Sequence, residues 1–462
     1  MNIDRMIEDF RLGEVDLDCR RLVLTQDKEG GERYEGKGYI RQNADGVLVY
    51  KLYVIRHENA TPHSSLNNYF RHVGKIHPSE TFFSLQAEAK DGTMLRADRV
   101  FPRPSWDMST GEPEFVSGRL ETLTALPSLP QKNHVLELHF FEEYELPFND
   151  WTEVEEIDGK HHVRNAAKFD SGDTHFQVTV RKGSGRSVVE ATSPRPFPAD
   201  FHWRIQEALQ FITGKTATHR ALVTCRPDLL QVDLISPRRV SLHPHFCPPI
   251  KHVSLEYMNR GWALFNAYLG YVVDHTSATQ WNPLAYHLFN AREASANSID
   301  AWAMGVSVAL EAVTSLVSIP EDPEKKAKAQ QAIESVKQYV DGENALEEVK
   351  ARLFGLLDGL KHPPGPADKL NWLAAQGKVE AGYIGKWKKL RNSLVHPKLA
   401  DLQKPDESTY QILLDRIHGV QVLLAQVTFH LIGYSGPYTD YAADGWPEKT
   451  YPLPAPGSTE AG

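Results

Sequence analysis

Cysteine is scarce in this chain: three residues among 462, Cys19, Cys225 and Cys247, widely spaced and without any C-x-x-C. That excludes a disulfide framework and a cysteine-based zinc ribbon. Long apolar runs are lacking too, since no stretch reads as the roughly 20-residue segment that spans a bilayer. The opening MNIDRMIEDFRLGEVDLDC carries acids where a signal peptide would have a basic start and an apolar core. The expectation is a cytoplasmic protein with reduced thiols and no membrane partner. A positive balance is missing as well. Lys and Arg number 51 against 60 Asp and Glu, a formal net charge of -9, which excludes a general nucleic-acid coat. It leaves room for local basic patches, and Lys386, Lys388, Lys389, Arg391 and Lys398 form one.

What is present is a globular composition, 41% hydrophobic and 24% charged, close to the soluble average. The length exceeds one ordinary core and predicts two or three domains. Residues 1–236 read as β-rich: runs such as GVLVYKLYVI, TFFSLQA, HVLELHFF and FQVTV alternate or are β-branched. NADG, KDGT and KGSG supply the positive-φ residues that hairpins need. A sandwich-like region is expected there, interrupted by one helix at FHWRIQEALQFITG. Residues 237–252, with the proline-rich PHFCPP run, break both periodicities and are the expected linker. From 253 to 436 the apolar period becomes 3.6 residues, predicting an all-α bundle. PEKKAKAQQAIESVKQYVDGENALEEV looks like an insertion within it. Residues 437–462, rich in Pro, Gly and aromatics, are expected to lie against the bundle as far as Tyr451 and then to fray. The fold class is therefore α+β and multidomain.

The chemistry concentrates in KWKKLRNSLVHPKL. On a helix, Tyr383, Trp387, Leu390 and Leu394 make one apolar stripe. Arg391 lies about 40° from Trp387 on the wheel, at the edge of that stripe, and needs a partner. The partner is either a carboxylate of the bundle, for which Glu311 in the apolar run VALEAVTSLV is the candidate, or a phosphate. Asn392 and His396 are four apart and share a face, so the amide can orient the imidazole. Pro397 disfavours helical geometry at His396 and predicts the helix end there, where the negative terminus favours a protonated ring. An arginine, an oriented histidine and flanking lysines can handle a phosphodiester without a metal or other cofactor.

LRNSLVHP, in a helix preceded by one bearing ALEAV, resembles the HEPN superfamily of helical ribonuclease and nucleotide-associated domains. Its signature is R-x4-6-H with a polar residue, often Asn, after the arginine; Arg391, Asn392 and His396 match it. The resemblance implies metal-independent endoribonuclease activity, in which a 2′-hydroxyl of the RNA attacks the adjacent phosphate and leaves a 2′,3′-cyclic end. It makes His396 the acid/base group, Arg391 the holder of the scissile phosphate and Asn392 the positioning residue. RNA, with tRNA as a candidate, is the implied substrate, Lys386, Lys388, Lys389 and Lys398 its binding residues, and Glu311 a supporting group. Two motifs meet across a dimer in that family, so a homodimer is implied. The domain order and the hairpin GKGYIRQNADGVLVYKLYV resemble bacterial abortive-infection proteins of the ApeA type, which implies anti-phage defence and a phage-derived trigger. The competing reading is a non-catalytic dimerising helical module with a ligand- or protein-binding β domain, its arginine paired with Glu311.

Other motifs carry less. His243, His245 and Cys247 in HPHFC alternate as metal ligands on a strand would, but the prolines around them favour a linker packed on the bundle. TGKT at 213–216 lacks the glycine a phosphate loop requires. The acidic run at 149–162 reads as a solvated loop between strands. Trp151 and Trp203 offer either a stacking surface or, as expected, sandwich core.

Overall fold

The computed structural model describes residues 2–64, 72, 74–127, 133–156, 159–181, 183–237, 244–276, 281–320, 323–342, 347–359, 364–395 and 407–454. Two compact units divide the chain: residues 1–206 with 217–240, and residues 207–216 with 241–462. The first carries a large antiparallel sheet and the second is mainly helical, so the α+β class is what the structure has.

In the first unit a short helix, α1 (Ile3–Leu12), precedes the strands. The alternating runs then become β1 (Asp16–Gln26), β2 (Arg33–Gln42), β3 (Leu48–Glu58), β4 (Phe83–Ala89), β5 (Met94–Val100), β6 (Arg103–Asp107), β7 (Glu112–Leu120) and β8 (Thr122–Ala125). After them come β9 (His134–Phe140), β10 (Asp150–Glu156), β11 (Gly159–Ser171), β12 (Thr174–Arg181), β13 (Arg186–Ser193), β14 (Ala221–Arg226) and β15 (Leu229–Ile235). Among the described residues these fifteen form one continuous sheet, in the order β10-β11-β12-β13-β9-β14-β15-β8-β5-β4-β1-β2-β3-β7-β6. Alternation dictates which face is buried. In β4, Phe83, Leu85, Ala87 and Ala89 point to the core, as period two requires.

The expected hairpins form for the expected reason. Between β2 and β3, Gly46 sits at φ +74° while the Asn43 carboxamide oxygen accepts from the Asp45 and Val47 amides. The sheet curls where β7 bends into β8 at Glu121. β7 pairs with β3, but β8 pairs with β5 and β15. One bent stretch of chain therefore joins strands that lie far apart in the sheet order. Ser236 pins the bend, its hydroxyl donating to the Leu120 carbonyl at 2.6 Å and accepting from the Leu48 amide at 3.0 Å.

In the second unit the 3.6-residue period becomes α3 (Leu255–Asp274), α4 (Pro283–Ser295), α5 (Ile299–Ser315), α6 (Pro323–Gly342), α7 (Glu347–Gly359), α8 (Pro366–Ala375), α9 (Ala381–Val395) and α10 (Glu407–Leu431). Side-chain caps start several of them, such as Ser254, Asn282 and Ser298. α5 is central, packing against α4, α8, α9 and α10. It approaches α4 closely at Gly305, where a Cβ would meet the Ala294 methyl at 2.5 Å. Residues 207–213, the end of the helix Phe201–Thr213, belong to this unit. They are tied down by Arg292, only 2% exposed, whose two terminal nitrogens donate to the Gln210 side-chain and backbone oxygens at 3.1 Å.

α10 reaches the length and apolarity of a membrane-spanning helix, which the sequence reading did not anticipate; 61% of its apolar window is buried inside the protein. Its buried glutamines have protein partners, Gln421 donating to the Cys247 carbonyl and Gln426 to the Tyr438 hydroxyl. Past α10, the hairpin of β16 (Gly436–Thr439) and β17 (Glu448–Tyr451) packs Tyr434, Tyr438 and Tyr451 around Phe429.

The first unit also buries histidines. His219 is fully enclosed, with Trp203, His202 and Phe140 as ring neighbours. Gln206 Oε1 accepts from both its backbone amide and its ring Nδ1, which fixes the proton on Nδ1. Burial pushes its pKa down to about 3, and that of His202 down to about 4. A histidine that stays neutral when folded but takes up a proton near pH 6.5 when unfolded makes stability fall as pH drops below that value. The slope is at most about 1.4 kcal/mol per pH unit for each such ring. Denaturant unfolding measured between pH 7 and pH 4.5 should therefore show a shallower loss of stability for His219→Gln than for wild type. Equal slopes would mean that His219 is protonated in the folded chain.

Candidate functional site

The site is built on α9. Its apolar positions are buried as the period requires: Tyr383 is 9% exposed, Ile384 and Trp387 4%, and Leu390 not at all. Tyr383 is further fixed by its hydroxyl, which lies 2.7 Å from both oxygens of Asp440, a fully buried carboxylate. Asp440 also receives Lys449 Nζ at 2.8 Å and the Ala442 amide at 3.1 Å. Burial, and then Asp440 beside it, hold the Tyr383 phenol protonated far above its ordinary range, so it remains a donor. No spacing in the sequence announces this network, because Asp440 lies in the aromatic tail, outside any periodic segment.

Arg391 leaves the same helix at the edge of the stripe and meets Glu311 of α5, its Nε 2.5 Å from Glu311 Oε1. The candidate partner is thus the observed one. The pair is not buried, however: the Arg391 side chain is 52% exposed and that of Glu311 32%. Among the described residues one guanidinium nitrogen is engaged, and the fork keeps donors for a planar anion. An ion pair this open contributes little to stability.

The lysines divide. Lys386 is half-buried, its stem lying against Gly419 of α10, where a Cβ would meet its Cδ at 2.5 Å, and its ammonium directed at the Asp415 carbonyl. Lys388, Lys389, Arg391 and Asn392 are all exposed at the C-terminal end of α9. His396 and Lys398 lie outside the described residues, as does His243. The structure therefore brings Glu311 of α5 to Arg391 of α9, leaves Lys388, Lys389 and Asn392 exposed around the same end of α9, and turns Lys386 toward α10.

Elsewhere, the acidic run at 149–162, expected as a loop between strands, instead forms β10 and the start of β11, which pair with each other, and the other candidates are accounted for by packing. His245 packs near Trp302, with ring centres 6.0 Å apart, and the Cys247 thiol is pushed up to about 12 by burial. In TGKT, the Thr213 hydroxyl donates to the Leu209 carbonyl and that of Thr216 to Glu293, as in a helix-ending turn. Trp203 packs on His219, whereas Trp151 is 58% exposed on β10 and is not the core residue expected. β10 ends the sheet order among the described residues, so fewer neighbours flank its side chains than on an inner strand.

Compared with protein-family models, curated proteins and solved structures, the chain has no match.

The two polar anchors of α9 differ in a measurable way. Tyr383→Phe removes a donor from a buried carboxylate and should cost about 2 kcal/mol, whereas Arg391→Ala should cost under about 1 kcal/mol. Guanidinium unfolding of the two variants checks this. A loss of several kcal/mol in Arg391→Ala would make the arginine a structural rivet.

Proposed function

We propose that the helical unit is a metal-independent endoribonuclease of the HEPN type, serving anti-phage defence by abortive infection. The observation that supports it most is the Arg391–Glu311 pair: the carboxylate aims the guanidinium from one side while more than half of the side chain stays open to solvent. On the same helix, Lys388 and Asn392 are exposed on neighbouring positions of the wheel and Lys389 is exposed further round, and neither lysine has a carboxylate partner among the described residues. That is what holding a phosphodiester requires, a preset fork donor with diffuse positive charge around it.

In the reaction the RNA's 2′-hydroxyl loses its proton to a base and attacks the adjacent phosphorus. The 5′-oxygen of the next nucleotide leaves, taking up a proton. A 2′,3′-cyclic phosphate and a 5′-hydroxyl result. Arg391 stabilises the charge on the phosphoryl oxygens, His396 moves the proton, and Asn392 orients it. One motif offers one histidine for two proton transfers, so a homodimer with paired motifs fits the chemistry. Met304 and Val308, 53% and 59% exposed one turn apart on α5, give the helix that carries Glu311 an apolar outer face suited to a second copy. The rival reading, a non-catalytic interaction module, also pairs Arg391 with Glu311; the openness of the pair removes only the large stability loss that a buried pair would bring.

The test is cleavage of end-labelled tRNA in excess EDTA by wild type, His396→Ala and Arg391→Ala, with product ends examined for cyclic phosphate. Wild type should cut and leave cyclic ends, and each variant should fall by roughly 100-fold or more while remaining folded. Full activity in His396→Ala would sink the proposal.

A further inference from the structure

The first unit contains a cleft of about 690 Å³ where β7 bends into β8, within the usual size for a small-molecule site of roughly 300–1,000 Å³. Its lining is unusual for an acidic chain. Lys51, Arg99, Arg103 and Arg119 all face it, with Glu121 the one carboxylate among the lining residues. None of the four cations has a carboxylate partner among the described residues.

Register explains the grouping. Tyr39 of β2 pairs with Lys51 of β3, Lys51 with Ser117 of β7, and Ser117 with Arg103 of β6. Directly paired residues share a face, so these four stand in a row across the sheet, and Arg119, two along from Ser117, joins them.

Aromatic rings complete the lining. The Lys51 ammonium sits 4.0 Å from the centre of the Phe115 ring, and the Arg99 guanidinium 4.5 Å from that of Phe82. Rings thus hold these cations in place without neutralising them. Arg99 is also one of the few non-glycine residues at positive φ, +56°; such a conformation costs energy and suits glycine better. Beneath the row, Gly118 keeps the wall thin, since a Cβ there would meet the Tyr50 ring at 2.8 Å. The Tyr50 hydroxyl is buried in that wall without a hydrogen-bond partner among the described residues.

We propose that this cleft binds a free nucleotide, its phosphates on Arg103, Arg119 and Lys51 and its base against the aromatic side formed with Phe82 and Phe101. Bidentate arginines suit phosphate oxygens, and rings accept a base of any sequence. A volume of about 690 Å³ matches one small ligand. This site lies in the sheet unit and is independent of the nuclease reading.

The experiment is isothermal titration calorimetry of the full chain with AMP, ATP and GTP, and in parallel with adenosine and with inorganic phosphate. At least one nucleotide should bind in the micromolar range, and adenosine and phosphate at least tenfold more weakly. The Arg103→Ala/Arg119→Ala double variant should lose at least tenfold in affinity at an unchanged melting temperature. Arg99→Gly, which relieves the backbone, should melt no lower than wild type and yet bind more weakly. Any of three results would overturn the proposal: no nucleotide binding at millimolar concentration, phosphate binding as tightly as ATP, or undiminished nucleotide affinity in the double variant.

Discussion

The helical unit turns on one buried charge. Asp440 has no exposed surface, and a carboxylate so enclosed is tolerable only when its oxygens are filled. Tyr383, Lys449 and the Ala442 amide fill them. Lys449 comes from the terminal hairpin and Tyr383 from α9, so the requirement of one carboxylate sets that helix against the tail. Arg391 stands about two turns further along the same helix. Its direction therefore inherits its precision from an interaction on the far side of the stripe, with Trp387 and Leu390 buried between. A site on a helix fixed in this way needs no rigid loop of its own.

Two arginines of this unit show how burial separates structure from chemistry. Arg292 is enclosed, bonded to Gln210 and 5.8 Å from the centre of the Phe246 ring; burial lowers its pKa to about 10. Its two terminal nitrogens are committed to Gln210, and it acts as a clamp on that stretch. Arg391 spends one nitrogen on Glu311, its other two have no further partner among the described residues, and half of the side chain is exposed. A chain under selection only for stability has little use for the second arrangement, because an open ion pair returns less than about 1 kcal/mol.

The fold was legible where a period was legible. The run of β4 and the wheel of α9 each specify a buried face, and the first is buried throughout and the second at Tyr383, Trp387 and Leu390. Turn chemistry was equally readable, as at Asn43 and Gly46, because positive φ restricts residue type locally. The curl of the sheet was not readable. It depends on β7 and β8 pairing with strands far apart in the order and on a serine from the end of β15, and no local pattern encodes such long-range pairings. Likewise α10 looked too polar to reach membrane length. Its glutamines are answered by partners remote in sequence, which a hydropathy reading counts only as polar.

The same distinction governs the sites. Arg391 was legible because its neighbours on one helix define where it points, and even Glu311 could be named from its misplaced charge among apolar residues. The exposure of that pair could not be foreseen, since it depends on how far α5 and α9 leave their shared edge uncovered. The cationic cleft was invisible for a stronger reason. Lys51, Arg103 and Arg119 each read as ordinary polar positions on alternating strands, and only the β3-β7-β6 register puts them side by side. Charge that looks dispersed along an acidic chain is concentrated by pairing. For sheet proteins, then, a binding face is a property of register before it is a property of sequence.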